Sequence, residues 1–261
     1  MPNSSLRFLL VQLMLTVLLS SSAVFVSAQG KIVLVIDDLG NQRRAGRSVI
    51  DSPWVTTVAI MPGRPFTEEL AQYAFAQGKE IIIHMPMSNE TDFPLGPLGL
   101  NRVDGKATLT ENLHTALAGV PHAVGLSNHM GSRLTQDREA MGWVMAMLKQ
   151  VGFYFFDSRT VSTTIAYQVA AQYQLPWSMR NIFLDHYRTE DFIAQQWHLA
   201  LTKARQGETV TVIGHPYPET LRFLNNLQLD PSDLELLLPL SAVLNYADKV
   251  ARPLRNFPQG L

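Results

Sequence analysis

A parallel α/β sheet wrapped by helices, most simply a distorted or incomplete (β/α) barrel of about seven strands in a single domain, is the fold this sequence predicts. Short β-branched apolar runs alternate with amphipathic helical stretches along the chain after residue 30. Those runs lack the in-out alternation of a strand with one wet face, so both faces should be covered. The length, 261 residues, suits one barrel, and no linker divides it. An open doubly wound sheet is the alternative. Neither G-x-G-x-x-G nor G-x-x-x-x-G-K-[ST] occurs, which argues against nucleotide-dependent chemistry on either arrangement.

The elements follow in order. Ile32 to Ile36 is a buried strand too short for a helix, ending on Asp37-Asp38 and the turn residues Leu39-Gly40-Asn41. Gln42 to Ile50 is a short helix closed before Pro53, and Val55 to Met61 a second strand. A helix capped by Thr67, with Glu68 and Glu69 in its first turn, stops at Gly78. Glu80 to Ile83 is the third strand, running into His84-Met85-Pro86-Met87, and Ser88 to Thr108 is a long loop of the kind that covers a site. Thr110 caps a helix ended by Pro121, and Ala123 to Leu126 is strand four. Thr135 opens the clearest helix, with Met141, Val144, Met145 and Leu148 on one face and Gly152 past its end. Phe153 to Phe156 is strand five, Thr164 to Gln174 a helix, and Ser178 to Leu184 strand six. A helix capped by Thr189 and closed by Gly207, strand seven at Thr209 to Ile213, a helix near Glu219 to Leu227 and the apolar Leu234 to Leu244 complete the domain.

The net charge of -1, without clustered Lys and Arg, excludes a nucleic-acid-binding surface. Cysteine is absent, so any metal must be held by His, Asp or Glu. Residues 1–28 read as a signal peptide, with Arg7, an apolar Phe8 to Leu19 and a small-residue Val26-Ser27-Ala28 site before Gln29. The expectation is a bacterial periplasmic domain, 29–261, that meets the membrane only if this segment stays uncleaved.

Strand after strand ends in a potential ligand or proton carrier: Asp37 and Asp38, His84, His129, Asp157, Asp185 with His186, and His215. Each alone has an ordinary explanation, Asp38 as a helix N-cap among them. Carboxyl ends of parallel strands, however, converge on one mouth. A carboxylate and two imidazoles there can hold Zn²⁺ or a similar divalent ion, which acidifies its water and polarises a carbonyl. His114, His122 and His198 lack that placement. Arg159, after Asp157-Ser158, can pair with a mouth carboxylate or serve a surface ion pair.

IDDLG, HMPM, SNHMGSRLT, FFDSRT, IFLDH and VIGHPYPET, in that order behind a signal segment, resemble the divergent polysaccharide deacetylases of bacterial envelopes. The resemblance implies a distorted barrel and metal-dependent removal of N- or O-acetyl groups from an envelope glycan such as peptidoglycan. By the superfamily's pattern Asp37 would be the general base, Asp38 a metal ligand, His215 the general acid, Asp185 the aspartate that orients it, and Arg159 the partner of the base. The superfamily's H-[ST]-x-x-H motif is absent, and strand-end placement transfers the two histidine ligands to His84 and His129. A catalytically inactive glycan-binding or envelope-organising protein on the same fold is the rival reading.

Overall fold

The computed structural model describes residues 30–246; the expected signal segment and residues 247–261 lie outside them. Eight strands form one parallel sheet: β1 (Lys31–Leu39), β2 (Thr57–Ile60), β3 (Glu80–Met87), β4 (Gly125–Met130), β5 (Tyr154–Asp157), β6 (Trp177–Met179), β7 (Ile182–Phe183) and β8 (Thr209–Gly214). Their spatial order is β6-β5-β4-β3-β2-β1-β8-β7. The helices are α1 (Arg43–Asp51), α2 (Thr67–Ala76), α3 (Gly105–Gly119), α4 (Arg138–Val151), α5 (Ala166–Gln172), α6 (Glu190–Arg205), α7 (Pro218–Asn226) and the short α8 (Pro231–Leu234). This is the incomplete barrel that the alternation of elements predicts. None of the described helices is long and apolar enough to cross a membrane.

One expected strand is in fact two, and the division marks where the barrel is open. Ser178 to Leu184 breaks at Arg180-Asn181: β6 pairs with β5, whereas β7 pairs with β8, so the two edges of the sheet are consecutive in the chain. Side chains lace this seam. Asn181 Oδ1 accepts from the Thr211 amide at 2.8 Å, and the Thr211 hydroxyl donates to the Met179 carbonyl. Backbone polar groups that cannot join a ladder are paired in this way because leaving them dry would cost a hydrogen bond each.

Strand parity then sorts the core. Ile32, Leu34 and Ile36 of β1 face the helices, while Val33 and Val35 join Ala59, Ile82, Tyr154, Phe156, Ile213 and Leu240 in a smaller cluster that fills the lumen. The Leu234 to Leu244 segment closes the floor. Leu240 N donates to Thr57 Oγ1 at 3.1 Å, and Ser241 N to Glu80 Oε1 at 3.1 Å. With the floor plugged by apolar side chains, the same inward parity continued upward delivers Asp37, His84 and His215 to the opposite, carboxyl end.

Two helix starts differ from expectation. Gly105, not Thr110, begins α3, and Thr110 lies inside the helix with its hydroxyl returned to the Lys106 carbonyl at 2.9 Å. The covering loop is correspondingly shorter and ends in a 3₁₀ turn at Arg102–Asp104. Asp137, not Thr135, caps α4, accepting from Glu139 N and Ala140 N. Thr135 instead donates to the Gly131 carbonyl and fixes the turn that leaves β4.

Candidate metal and acid–base site

Adjacent residues of a strand point to opposite faces, so a DD pair would ordinarily put one carboxylate in the mouth and the other among the helices. Here β1 breaks that rule. Its register with β2 slips between Ile36 and Leu39, and Asp38 adopts a left-handed backbone, φ +62°. Aspartate tolerates this region better than most non-glycine residues. The irregularity turns both carboxylates toward the same mouth.

Three donor atoms meet there. Asp38 Oδ1 lies 2.7 Å from His129 Nδ1 and 3.2 Å from His84 Nε2, and the two imidazole nitrogens are 3.3 Å apart. The oxygen is buried, yet neither close contact has hydrogen-bonding direction, so it has no hydrogen-bond partner. The two imidazoles hydrogen-bond each other through these nitrogens; three donor atoms within 4.8 Å of one another, in a carboxylate-and-two-imidazole set, fit a divalent cation and suit Zn²⁺ by chemistry. His84 Nδ1 is 2.8 Å from Ser127 Oγ; with the N–H on that side, Nε2 turns its lone pair to the cluster. Burial alone would raise the Asp38 carboxyl, but its polar contacts with His129 and His84 outweigh burial and hold it well below the usual range.

Asp37 is 2% exposed, its Oδ2 lies 3.5 Å from His84 Nε2, and its Oδ1 has no hydrogen-bond partner. Burial pushes its carboxyl up, against the pull of His84 and His215. Across the mouth, His215 Nδ1 and Asp185 Oδ1 are 2.9 Å apart. Asp185 is itself fixed, its Oδ2 accepting from His215 N at 2.6 Å and from Thr220 Oγ1 at 2.7 Å. Burial pulls the His215 imidazole down, but the bond to Asp185 and the charges of Asp185, Asp38 and Asp37 leave it raised.

That balance has a measurable consequence. A raised folded-state pKa means that protonated His215 stabilises the fold, an increment fully present below the ordinary 6.5 and lost as pH rises through the folded value. Asp185→Asn removes the main opposition to burial. The His215 midpoint, followed by NMR titration, is expected to fall, and the stability increment with it; an unmoved midpoint would deny Asp185 its influence.

The structure brings Asp37, Asp38, His84, His129, Asp185 and His215 to one mouth, and among the described residues no ion pair joins Arg159 to Asp37. The largest charges acting on Asp37 are those of His84, His215, Asp38 and His129. Arg159 has a left-handed backbone, φ +49°, and its amide donates to Asp157 Oδ1 at 2.8 Å. Asp157, which also accepts from Thr164 Oγ1 at 2.8 Å, braces this turn rather than joining the donor cluster. The charge of Arg180 also interacts with that of Asp37. The side chain is anchored by Nε to the Ser158 carbonyl at 2.8 Å and by Nη2 to the Arg159 carbonyl at 2.7 Å. Sequence reading missed it because Arg180 falls within an apparently continuous strand. Ser127 and Thr220 lie in the quoted motifs but were missed because a hydroxyl that only orients a histidine or an aspartate leaves no spacing signal of its own. His122, outside the mouth as expected, stacks on Phe75 with ring centroids 3.9 Å apart.

The family model described as divergent polysaccharide deacetylase matches residues 34–244. The uncharacterized protein YibQ of Escherichia coli is 34% identical over 217 residues, covering 83% of this chain and 68% of the relative. An uncharacterized protein of Haemophilus influenzae is 33% identical over 221 residues, 83% of this chain and 79% of its own length. The crystal structure of uncharacterized protein ATU2773 from Agrobacterium tumefaciens C58 matches with a TM-score of 0.70 at 20% identity, over 75% of this chain and 81% of that one; this likeness speaks for the fold alone. With a family match that runs from β1 through the segment closing the barrel floor, and two relatives above 30% identity, the chain belongs to the divergent polysaccharide deacetylase family.

Proposed function

We propose that the protein is a metal-dependent carbohydrate deacetylase acting on an acetylated glycan of the bacterial envelope. The observation that carries this reading is the convergence of Asp38, His84 and His129, flanked by a buried carboxylate, Asp37, and an Asp185-oriented imidazole, His215. A divalent cation held by those three residues supplies Lewis acidity, polarising an acetyl carbonyl and lowering the pKa of water. Asp37, desolvated and without a hydrogen-bond partner on Oδ1, accepts the proton of the attacking water. Arg180 keeps a positive charge near that base. His215, whose Nδ1 faces Asp185, donates from its other nitrogen to the departing amine or alkoxide as the acyl C–N or C–O bond breaks. Acetate and the deacetylated sugar are the products.

The reading extends to location. Export through residues 1–28 would bring the domain to its glycan, and the intact mass of protein from native cells should place the first residue at Gln29. A chain that keeps residues 1–28 in the membrane would replace cleavage with anchoring.

The activity test is acetate release from chitin oligomers and peptidoglycan fragments by protein whose metal content is measured by elemental analysis. Release is expected to stop on chelation and return on adding Zn²⁺. Because Asp37 must be unprotonated and His215 protonated, kcat/KM should be bell-shaped in pH. Glycan binding without acetate release from any substrate would reject the enzyme and favour a binding protein.

A further inference from the structure

One rim of the mouth carries a cation whose natural partners are already taken. The Tyr217 ring stacks on His215, with centroids 5.2 Å apart and planes 25° from parallel. Arg188 Cζ lies 3.7 Å from the Tyr217 centroid, on an exposed segment just before α6. The obvious counterions are Glu190 and Glu219, and Arg222 engages both, at 2.7 Å and 3.2 Å. Among the described residues Arg188 makes no ion pair, although its charge reaches Glu219. Phe183 also lies against His215, with its centroid 5.4 Å away, and in turn carries Arg180 at 5.0 Å. His215 thus lies among aromatic rings that each carry a guanidinium, one half-buried and committed to carbonyls, the other exposed and in no ion pair among the described residues.

The chemistry of that exposed cation is specific. A guanidinium held over a phenol ring by cation–π attraction keeps N–H donors for a planar, two-oxygen acceptor. Arg188 also stands one aromatic ring beyond the group that protonates the leaving atom. A sugar whose leaving nitrogen or oxygen faces His215 would therefore bring its own substituents, or those of the next sugar, to Arg188. A neutral glycan would leave this cation without a partner.

Resting on the deacetylase reading above, we propose that Arg188, held on Tyr217, selects glycans that carry a carboxylate on or next to the acetylated amino sugar. The carboxylate can come from an ether-linked lactyl group or from a uronic acid, and both present the same planar anion.

The test measures binding and acetate release separately. Peptide-free peptidoglycan strands represent the lactyl source and oligosaccharides alternating N-acetylglucosamine with glucuronic acid the uronic source. Each is compared with the same glycan after its carboxyl groups are reduced to alcohols. Titration calorimetry on the zinc-loaded mature chain is expected to show about 5-fold tighter binding of at least one carboxylated glycan than of its reduced form, a preference that weakens with salt. Arg188→Gln should bring that ratio close to one, and Arg188→Lys should restore part of it, because charge returns without the planar fork. Equal affinity for both forms in the wild type, or an undiminished ratio in Arg188→Gln, would overturn the proposal. Acetate release is scored on the same four glycans, so that release without discrimination defeats only the role of Arg188. Discrimination without release from any of them defeats only the deacetylase reading.

Discussion

Replacing Asp37 by asparagine is expected to cut acetate release by about 10²- to 10⁴-fold, the usual contribution of a positioned base, with metal content nearly unchanged. The substitution is close to isosteric, and the donor cluster of Asp38, His84 and His129 does not include Asp37. Stability should move in the opposite direction. The folded-state pKa of Asp37 is raised by burial, so the native protein binds more protons than the unfolded chain between the ordinary 3.8 and that raised value. Stability therefore falls as pH rises through this window, and above it the buried charge weighs fully against the fold. In chelator-treated protein at neutral pH, Asp37→Asn should accordingly melt higher than the wild type. Lower activity together with a higher Tm would identify a group retained for chemistry at the expense of stability. A lower Tm with equal activity would make Asp37 a structural residue.

Loss of the metal is the second large effect. His84→Ala and His129→Ala should each abolish stoichiometric binding, because removing one of three donors must exceed the roughly 10- to 100-fold loss usual for an outer-sphere partner. Ser127→Ala supplies that smaller loss for comparison, since Ser127 touches the metal side of the site only through His84. The two histidines should differ in what they do to the fold. His84 is 2% exposed and its removal also strands Ser127, so about 1 to 3 kcal/mol of stability should go with it. His129, at 19% exposure, sits nearer the rim, and its removal should cost the metal-free protein less than that of His84, chiefly through the lost contact with Asp38. Elemental analysis and paired thermal melts with and without chelator measure both. Full zinc in both variants would move the metal away from this cluster.

The parts of this site that sequence reading reached are those governed by strand ends. Asp37, Asp38, His84, His129, Asp185 and His215 each follow an apolar run, and a parallel sheet gathers such positions whatever their separation in the chain. What stayed hidden depends on departures from regular geometry. A single left-handed residue at Asp38 decides whether β1 offers one carboxylate or two, and nothing in IDDLG distinguishes that backbone from a straight strand. The break at Arg180-Asn181 is similarly silent, because WSMRNIFL has the composition of one strand although its halves pair with opposite edges. Arg180, whose charge interacts with that of Asp37, sits at that break. Helix starts shifted for a more ordinary reason: Thr110 and Thr135 are good caps in isolation, but a better-placed Asp137 and an earlier 3₁₀ turn took the role.

The strand order has a consequence for how the molecule assembles. β1 pairs on one side with β2, its neighbour in the chain, and on the other with β8, from near the end of the described chain. Residues Asp38, His84 and His129 all lie on the β1-to-β4 part of the sheet, whose pairings join elements close in sequence. Asp185 and His215 follow β7 and end β8, and dock as a unit along the far edge of β1. Closing so long a loop is slow relative to the local pairings. During synthesis or refolding, the metal-binding half should thus become ordered before the proton-donating half arrives. A divalent cation could then be captured before the Asp185–His215 pair is in place.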